Sequence, residues 1–357
     1  MEKYDLLSMT EEELIELFIS LGEPKFRAGQ VFPRLHLGEP ISDMTSLSKK
    51  LRDRLDEITL DTLPKVEKKL ISKLDGTIKY LFKLHDGECI ESVFMRYKHG
   101  NTLCISSQVG CLMGCKFCAS TLAGKVRNLL PSELLGQVIA ASRDTGERVS
   151  NIVMMGIGEP LDNFDNVIKF LKLVNNPKGL NIGYRHISLS TCGVVPGIKS
   201  LAEVDLPITL SISLHASNDE RRLEIMPVNK KWCIAELLDA CVKYYNKTGR
   251  RISFEYTLIE GKNDGVADAR ELAALLKSAF RGTGAPLHVN LIRVNEVKET
   301  AFREGTLDSA NRFAKELESL GVVATVRRRL GADINAACGQ LRRQNAKETN
   351  EKGGSLD

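Results

Sequence analysis

Cys111, Cys115 and Cys118 occur as CLMGCKFC, three thiols within eight residues of a 357-residue chain. Thiols spaced this way can meet at one metal centre only if the loop wraps around it, and Gly110 and Gly114 permit such a wrap. Ferredoxin-type clusters are held by four cysteines. Three close ligands leave one iron of a four-iron cluster open, and an open coordination position is what a catalytic metal needs. Two blander readings compete: a zinc knot completed by a distant residue, and buried cysteines acting as small hydrophobes. Zinc favours paired CxxC units, and the chain has no second pair. An aromatic residue, Phe117, precedes the last cysteine.

Other residues could join this chemistry. Cys104 lies seven residues before the cysteine loop, and Cys338 sits among Ala336, Ala337 and Gly339, small residues that let a loop approach a substrate closely. Inert packing is the ordinary expectation for an isolated cysteine, and it suits Cys89, Cys192, Cys233 and Cys241 in their apolar or helical surroundings. Gly158-Glu159-Pro160 follows the apolar stretch NIVMM; glycines there admit a ligand to the backbone, and the carboxylate can accept from a ligand amine. Alone, that motif reads as a turn. Ser190 and the run Ser213-Leu214-His215 end two candidate strands, and Asn295 follows HVNLI. Each reads singly as a cap or turn residue. Together, polar groups at several strand ends point to one pocket. Glu91 alone reads as an exposed strand glutamate, and His36, His85 and His99 as surface residues.

The elements that must position these groups are visible in the periodicity. Thr10 precedes three glutamates and an apolar rhythm at Leu14, Leu17 and Phe18, a capped amphipathic helix. Helical patterns follow over about 25–36 and 45–57, with Pro33 expected to end or kink the first of them. The period then shifts to two, with Ile78, Tyr80, Phe82 and Leu84 on one face and a second run from Ile90 to Met95, predicting a β-ribbon. Residues 1–95 are thus expected to form a small accessory unit of helices and ribbon. From there to about 345, candidate strands at Leu103–Ser106, Asn151–Met155, His186–Ser190, Ile208–Leu214, Ile252–Leu258, His288–Ile292 and Val322–Arg327 alternate with helical patterns such as Pro131–Ser142, Ile234–Asn246 and Leu307–Leu320. Such alternation predicts an α/β protein with a parallel sheet, doubly wound or curled into a barrel, with its chemistry at the carboxyl ends of the strands. The tail 346–357 is expected to be disordered.

Composition excludes several classes. The chain is 43% hydrophobic and 27% charged, with 28 Gly and 11 Pro, unlike a disordered, collagenous or repeat-biased sequence. No apolar run approaches the ~20 residues of a membrane helix, and the acidic N-terminus lacks signal-peptide order, so a soluble cytosolic protein is expected. Nine cysteines without an export signal favour metal binding or catalysis over a disulfide framework. The net charge of +4 is small, but residues 321–345 hold five Arg against one Asp. Arg327, Arg328, Arg329, Arg342 and Arg343, with Lys125 and Arg127, are candidate phosphate contacts, although a solvated face is the commoner role of such charges.

The cysteine loop resembles that of the radical S-adenosylmethionine (SAM) superfamily, whose hallmark is CxxxCxφC with an aromatic φ. The resemblance implies a partial (β/α)6 barrel, a [4Fe-4S] cluster on Cys111, Cys115 and Cys118, and SAM chelated by the open iron and split to a 5′-deoxyadenosyl radical. Further motifs narrow it: residues 102–108, Met155-Gly156-Ile157-Gly158-Glu159-Pro160-Leu161, Ser188–Thr191, Ser213–His215 and Asp333-Ile334-Asn335-Ala336-Ala337-Cys338-Gly339-Gln340-Leu341 resemble, in order, those of the RlmN/Cfr family of RNA adenosine methyltransferases. The N-terminal helical unit resembles that family's accessory domain.

What this resemblance implies is specific. Cys338 takes a methyl group from one SAM, a radical from a second SAM activates that S-methyl group, and the resulting carbon adds to adenine, so two SAM are consumed per turnover. Cys104 resolves the tether through a transient disulfide with Cys338, and Glu91 removes a proton. Gly158, Glu159, Ser190, Ser213, Leu214, His215 and Asn295 are the implied SAM contacts. The implied reaction is methylation of adenine carbon 2 in 23S rRNA (peptidyl-transferase region) and in a tRNA anticodon loop, with a flipped adenosine and an external electron donor such as flavodoxin or ferredoxin. Pro160 and the stretch around Cys192 resemble this housekeeping type more than the carbon-8 type, which confers antibiotic resistance. Two other classes are to be distinguished: a radical SAM enzyme acting on a small molecule or a protein glycyl site, which gives Cys338 no role, and a zinc-dependent RNA-binding module.

Overall fold

The computed structural model describes residues 3–294, 302–334, 339–342 and 345. Two of the residues singled out above, Asn295 and Cys338, lie outside them, as do Arg343 and the tail 346–357.

The chain begins with three helices, α1 (Glu11–Ser20), α2 (Phe26–His36) and α3 (Lys49–Ile58). Thr10 caps α1 by a capping box: its hydroxyl accepts from Glu13 N, and the Glu13 carboxylate accepts from Thr10 N. Ser48 caps α3 by accepting from Leu51 N. Pro33 does not end α2, which continues to His36. The proline lies in the last turn, where only one main-chain bond is forfeited, and burial of Ala28, Val31 and Phe32 outweighs that loss. His36 is not a surface residue. It is 2% exposed, packs on Phe32 at 4.2 Å between ring centroids, and abuts Gly179 so closely that a Cβ there would meet its ring at 2.3 Å.

Twelve strands follow among the described residues: β1 (Lys65–Ile71), β2 (Ile78–Lys83), β3 (Cys89–Tyr97), β4 (Gly100–Cys104), β5 (Gln108–Gly110), β6 (Lys125–Asn128), β7 (Asn151–Met154), β8 (Ile187–Thr191), β9 (Thr209–Ser213), β10 (Ile252–Leu258), β11 (His288–Arg293) and β12 (Val323–Val326). Ten of them form one sheet in the order β1-β2-β3-β4-β7-β8-β9-β10-β11-β12. The first four pair antiparallel, and from β4 onward every pairing is parallel. Seven parallel strands therefore coincide with the seven expected from the sequence; β4 begins three residues earlier and ends two earlier than expected, and the others shift by at most one residue at either end. The crossovers are α4 (Pro131–Thr145), α5 (Phe164–Asn175), α6 (Val195–Val204), α7 (Asp219–Ile225), α8 (Ile234–Thr248), α9 (Val266–Ala279) and α10 (Leu307–Ser319). This is the mixed α/β architecture of a partial barrel. The ribbon is three-stranded, and β3 crosses residue 95 to pair with β4, so the sheet is continuous through the expected domain boundary.

The parallel strands alternate in character. Leu189, Leu210, Ile212, Phe254 and Val289 enter the main apolar core. Ser188, Ser211, Ser253, Glu255 and Asn290 alternate with them and face the other side. They bond to one another or to neighbours: Ser188 with Ser211 at 3.0 Å, Ser253 with His288 Nδ1 at 2.9 Å, and Asn290 Nδ2 donating to Glu255 at 2.6 Å. Parallel strands covered on both faces usually read as continuous apolar runs. The alternation here sets a polar inner face opposite the apolar core, and Glu255 on that face reaches the cavity. Among the described residues, no helix is long and apolar enough to cross a membrane.

The helical unit is tied to the barrel at Asp5. Its carboxylate accepts from Ser132 Oγ (2.6 Å) at the start of α4, from Thr62 Oγ1 (3.0 Å) and from Ser8. Asp5→Ala is expected to lower stability by about 2 kcal/mol, read as a reduced urea midpoint, because hydrogen bonds to a charged acceptor are lost together.

Candidate active site

The inner face opens at the carboxyl ends of the parallel strands into a cavity of about 350 Å³. Its wall brings together Cys104, Cys111, Cys115, Cys118, Gly158, Glu159, Ser190, Ser213 and His215, which lie far apart in the sequence. Leu214 stands behind the wall: its main chain donates to Glu255 O and accepts from Arg222 Nε.

The cysteine loop leaves β5 and returns through β6, and two glycines make this return feasible. Gly110 has φ +82°, and a Cβ there would meet Gly124 O at 1.9 Å. Gly114 has φ +73° and packs on Pro227. The loop is stitched by Cys111 N to Gly124 O (3.0 Å), by Cys118 N to Cys115 O (3.1 Å), and by Thr121 Oγ1, which donates to the carbonyls of both Cys115 and Cys118. Outside support comes from α7, where Ile225 O accepts from Lys116 N at 2.9 Å.

This donor set fits an iron–sulfur cluster. Burial pushes the Cys111 thiol up to about 12 and Cys115 higher still, with the neighbouring thiols adding to the rise, so these groups become thiolates only against a strong cation. Among the described residues, no three ligating side chains close on a single-ion site. The three sulfurs instead face one shared space, as ligands of an object larger than one ion must.

The wall opposite is built from buried polar groups. Gly158, at φ +108°, lies against Gln108, whose main-chain nitrogen would stand 2.7 Å from any Cβ. Gln108 Oε1 accepts from Glu159 N at 2.9 Å. Glu159 is fully enclosed, and burial raises its pKa. Its Oε1 accepts from Leu161 N (3.0 Å) and its Oε2 from Cys192 N (2.7 Å), so one lone pair on each oxygen is already engaged. The carbonyl of the same Cys192 accepts from Arg222 Nη2 at 2.7 Å. Arg222 is fully buried, forms no ion pair among the described residues, and also donates to Leu214 O, Ser213 O and Asn229 Oδ1. Cys192, expected to be packing only, thus lines the cavity beside the cysteine loop.

His215 adopts φ +58° and is 4% exposed. Its Nδ1 accepts from Thr257 N at 3.0 Å, which leaves Nε2 as the protonated nitrogen. Burial, helped by the Arg222 charge, lowers its pKa to about 3, so the ring is neutral at physiological pH. Phe117 meets it edge-on at 5.0 Å.

Cys104 ends β4, 5% exposed, among Val93, Met95, Val153 and Met155. Glu91 departs from the exposed position expected of it. It is 1% exposed and pairs with Lys79 Nζ at 3.1 Å. It sits outside the cavity wall and reaches the site through the chain's end: Oε2 accepts from Gly339 N (2.8 Å) and Oε1 from Arg342 N (2.7 Å). Gly339, the chain neighbour of Cys338, lies against Ala119 and Ser120, the two residues after Cys118.

Of the candidate phosphate contacts, Arg327, Arg328 and Arg329 line the cavity. Arg329 shares Glu304 with Arg293, Lys125 pairs with Asp162, Arg127 with Asp86 and Glu133, and Arg342 with Glu88. Lys79 and Arg222 carry no signal in the sequence, because each occupies a position that reads as a solvated strand or helix face, whereas Gln108 belongs to the motif over 102–108. Gly110→Ala is expected to abolish iron and sulfide loading after anaerobic reconstitution while leaving the far-ultraviolet circular dichroism unchanged, since the loop cannot return past the Gly124 carbonyl.

Comparison with known proteins agrees with this geometry. Residues 105–274 match the model of the radical SAM superfamily, and residues 4–60 match the ribosomal RNA large subunit methyltransferase N-terminal domain. A relative from Alkaliphilus oremlandii, named "Probable dual-specificity RNA methyltransferase RlmN", is 56% identical over 345 residues, covering 96% of this chain and 99% of its own. One of the same name from Alkaliphilus metalliredigens is 51% identical over 353 residues, covering 99% of each chain. The crystal structure of a radical SAM methyltransferase from Sphaerobacter thermophilus superposes with a TM-score of 0.88 at 41% identity, covering 94% of this chain and 98% of that one. Membership of the superfamily brings a [4Fe-4S] cluster and SAM to the cavity that the three cysteines line. The chain belongs to the RlmN family of radical SAM RNA methyltransferases.

Proposed function

We propose that this protein methylates carbon 2 of an adenosine in 23S rRNA and in tRNA, with Cys338 as the carrier of the methyl carbon. The observation that carries the reading is the placement of Gly339. Its amide is held by Glu91 while its Cα packs on Ser120, which stations the chain neighbour of Cys338 beside the cysteine loop and in the same region as Cys104.

Cluster and SAM, when bound, supply methyl groups and a hydrogen-abstracting radical. The remaining roles belong to the chain. Cys111, Cys115 and Cys118 hold the cluster. The turn Gly158-Glu159, with Ser190, Ser213 and His215, contributes backbone approach, hydroxyls and an Nε2–H donor for the SAM amine, carboxylate and ribose, and Leu214 and Asn295 complete the set. Adenine carbon 2 is an electrophilic amidine carbon, so a methyl cation equivalent cannot be delivered there. A carbon radical on the Cys338 sulfur can add. The radical adduct then has to lose one electron, for which the bound cluster would be the acceptor, and the proton on adenine carbon 2, which is assigned to Glu91. The Cys104 thiolate attacks the Cys338 sulfur, forming a disulfide; the carbon leaves with the carbon–sulfur electron pair and takes up a proton to become the new methyl group, and a dithiol reductant reopens the disulfide. An external reductant of the flavodoxin or ferredoxin type supplies electrons, and two SAM are used per turnover. Arg327 and Arg328 at the cavity mouth are assigned to phosphate, which positions RNA without reading sequence.

Mass spectrometry of the Cys338 peptide after anaerobic incubation with SAM is expected to show one added methyl group; an unmodified peptide in enzyme that turns over overturns the reading. Cys104→Ala is expected to accumulate a covalent protein–RNA species on a denaturing gel, and its absence would remove Cys104 from the resolving role. Nucleoside analysis of the product separates carbon 2 from carbon 8.

A further inference from the structure

The C-terminal segment is held at two places. Upstream, Gly331 N donates to Asp75 Oδ2 (2.9 Å), and Asp333 accepts from Ser72 Oγ (2.7 Å) and Lys73 N (2.8 Å), all on the turn between β1 and β2. Downstream, the two amides of Gly339 and Arg342 both end on Glu91. Residue 338 lies between these anchors.

The downstream anchor is a buried carboxylate, and a buried carboxylate is costly to keep charged. What offsets the cost is Lys79. Leu81 and Glu91 are direct cross-strand partners of β2 and β3, which makes Lys79 the diagonal neighbour of Glu91 on the same face. Both side chains are 1% exposed, and Nζ stands 3.1 Å from Oε2, the oxygen that also receives Gly339 N. The rest of β2 up to Phe82 is apolar: Ile78, Tyr80, Leu81 and Phe82. A lysine enclosed there needs a reason beyond strand formation.

We propose that Lys79 is a positioning residue for the catalytic segment: its ammonium, paired with the enclosed Glu91 carboxylate, fixes that carboxylate against the Gly339 and Arg342 amides, so that Gly339 is held against Ala119 and Ser120 beside the cluster loop. A charged acceptor holds two amides far better than a neutral carboxyl, one of whose oxygens has become a donor. The functional meaning of this clamp rests on the Cys338 reading above; its geometry does not.

The test uses anaerobically reconstituted holoenzyme as wild type, K79M, K79R and the neutral pair K79M/E91Q. Hydrogen–deuterium exchange of the peptide spanning 339–342 is expected to accelerate about tenfold or more in K79M, to return towards wild type in K79R, and to stay fast in K79M/E91Q, while β3 and β4 amides keep their protection. Methyl transfer by K79M is expected to fall in kcat with the KM for RNA unchanged, a split that a general loss of structure would not produce. If K79M does not fold, the neutral pair carries the measurement, since it leaves no buried charge alone. Unchanged exchange at 339–342 in a folded variant overturns the proposal. Fast exchange together with an unmethylated Cys338 in wild type leaves the clamp standing and removes the S-methyl reading, whereas a methylated Cys338 with slow exchange in K79M does the reverse.

Discussion

The antiparallel pairing of β3 with β4 is the constraint on which the site depends. It sets Val93 opposite Cys104, and from the same ladder Ser106 Oγ reaches back to the carbonyl of Glu91 at 2.6 Å. β4 is also the first strand of the parallel array, in register with β7 through Cys104 and Val153. One strand therefore carries a cavity thiol, joins the antiparallel ribbon to the barrel, and leads within a few residues into the cysteine loop. Gln137 on α4 locks this junction, accepting from Ser92 Oγ and Ser106 N and donating to Ser106 O. Slipping β3 by one residue would turn Glu91 and Val93 to the opposite face and separate the C-terminal anchor from the cavity.

Around that junction the wall is made by backbone brought too close for any side chain. Gly110 against Gly124, Gly156 against Ile105 and Gly158 against Gln108 are such approaches, each within 3 Å of where a Cβ would lie. They draw the cysteine loop and the Gly158-Glu159 turn onto the end of β4, so that ligands from separate crossovers face a single space. Ser190, Ser213, Glu255 and Thr257 on β8 to β10 then give that space polar groups among its apolar side chains.

Much of this was legible in the sequence, and the misses have physical causes. The parallel strands, the cysteine loop and the strand-end polar residues announce themselves through period, spacing and glycine. Lys79 and Glu91 do not. Residue by residue, β2 alternates as though Lys79 faced water, because no local pattern reveals that the opposite face is closed by a segment some 250 residues downstream. Arg222 was hidden in the same way: on a short helix rich in charge, it reads as solvated, yet its guanidinium is wrapped by main-chain carbonyls. His36 lies in a helix whose partner, the stretch containing Gly179, is distant in sequence. Pro33 misled because a proline penalty is local, while the packing that overrides it is not.

The residue Cys192 is gripped from both sides, its amide by the enclosed carboxylate of Glu159 and its carbonyl by the enclosed guanidinium of Arg222. A carboxyl group and a guanidinium thus hold the two ends of a single residue's main chain without touching each other. Exchanging either for an apolar side chain leaves one end of that buried peptide without its partner. The peptide they share ties the Gly158-Glu159 turn to the helix that carries Arg222.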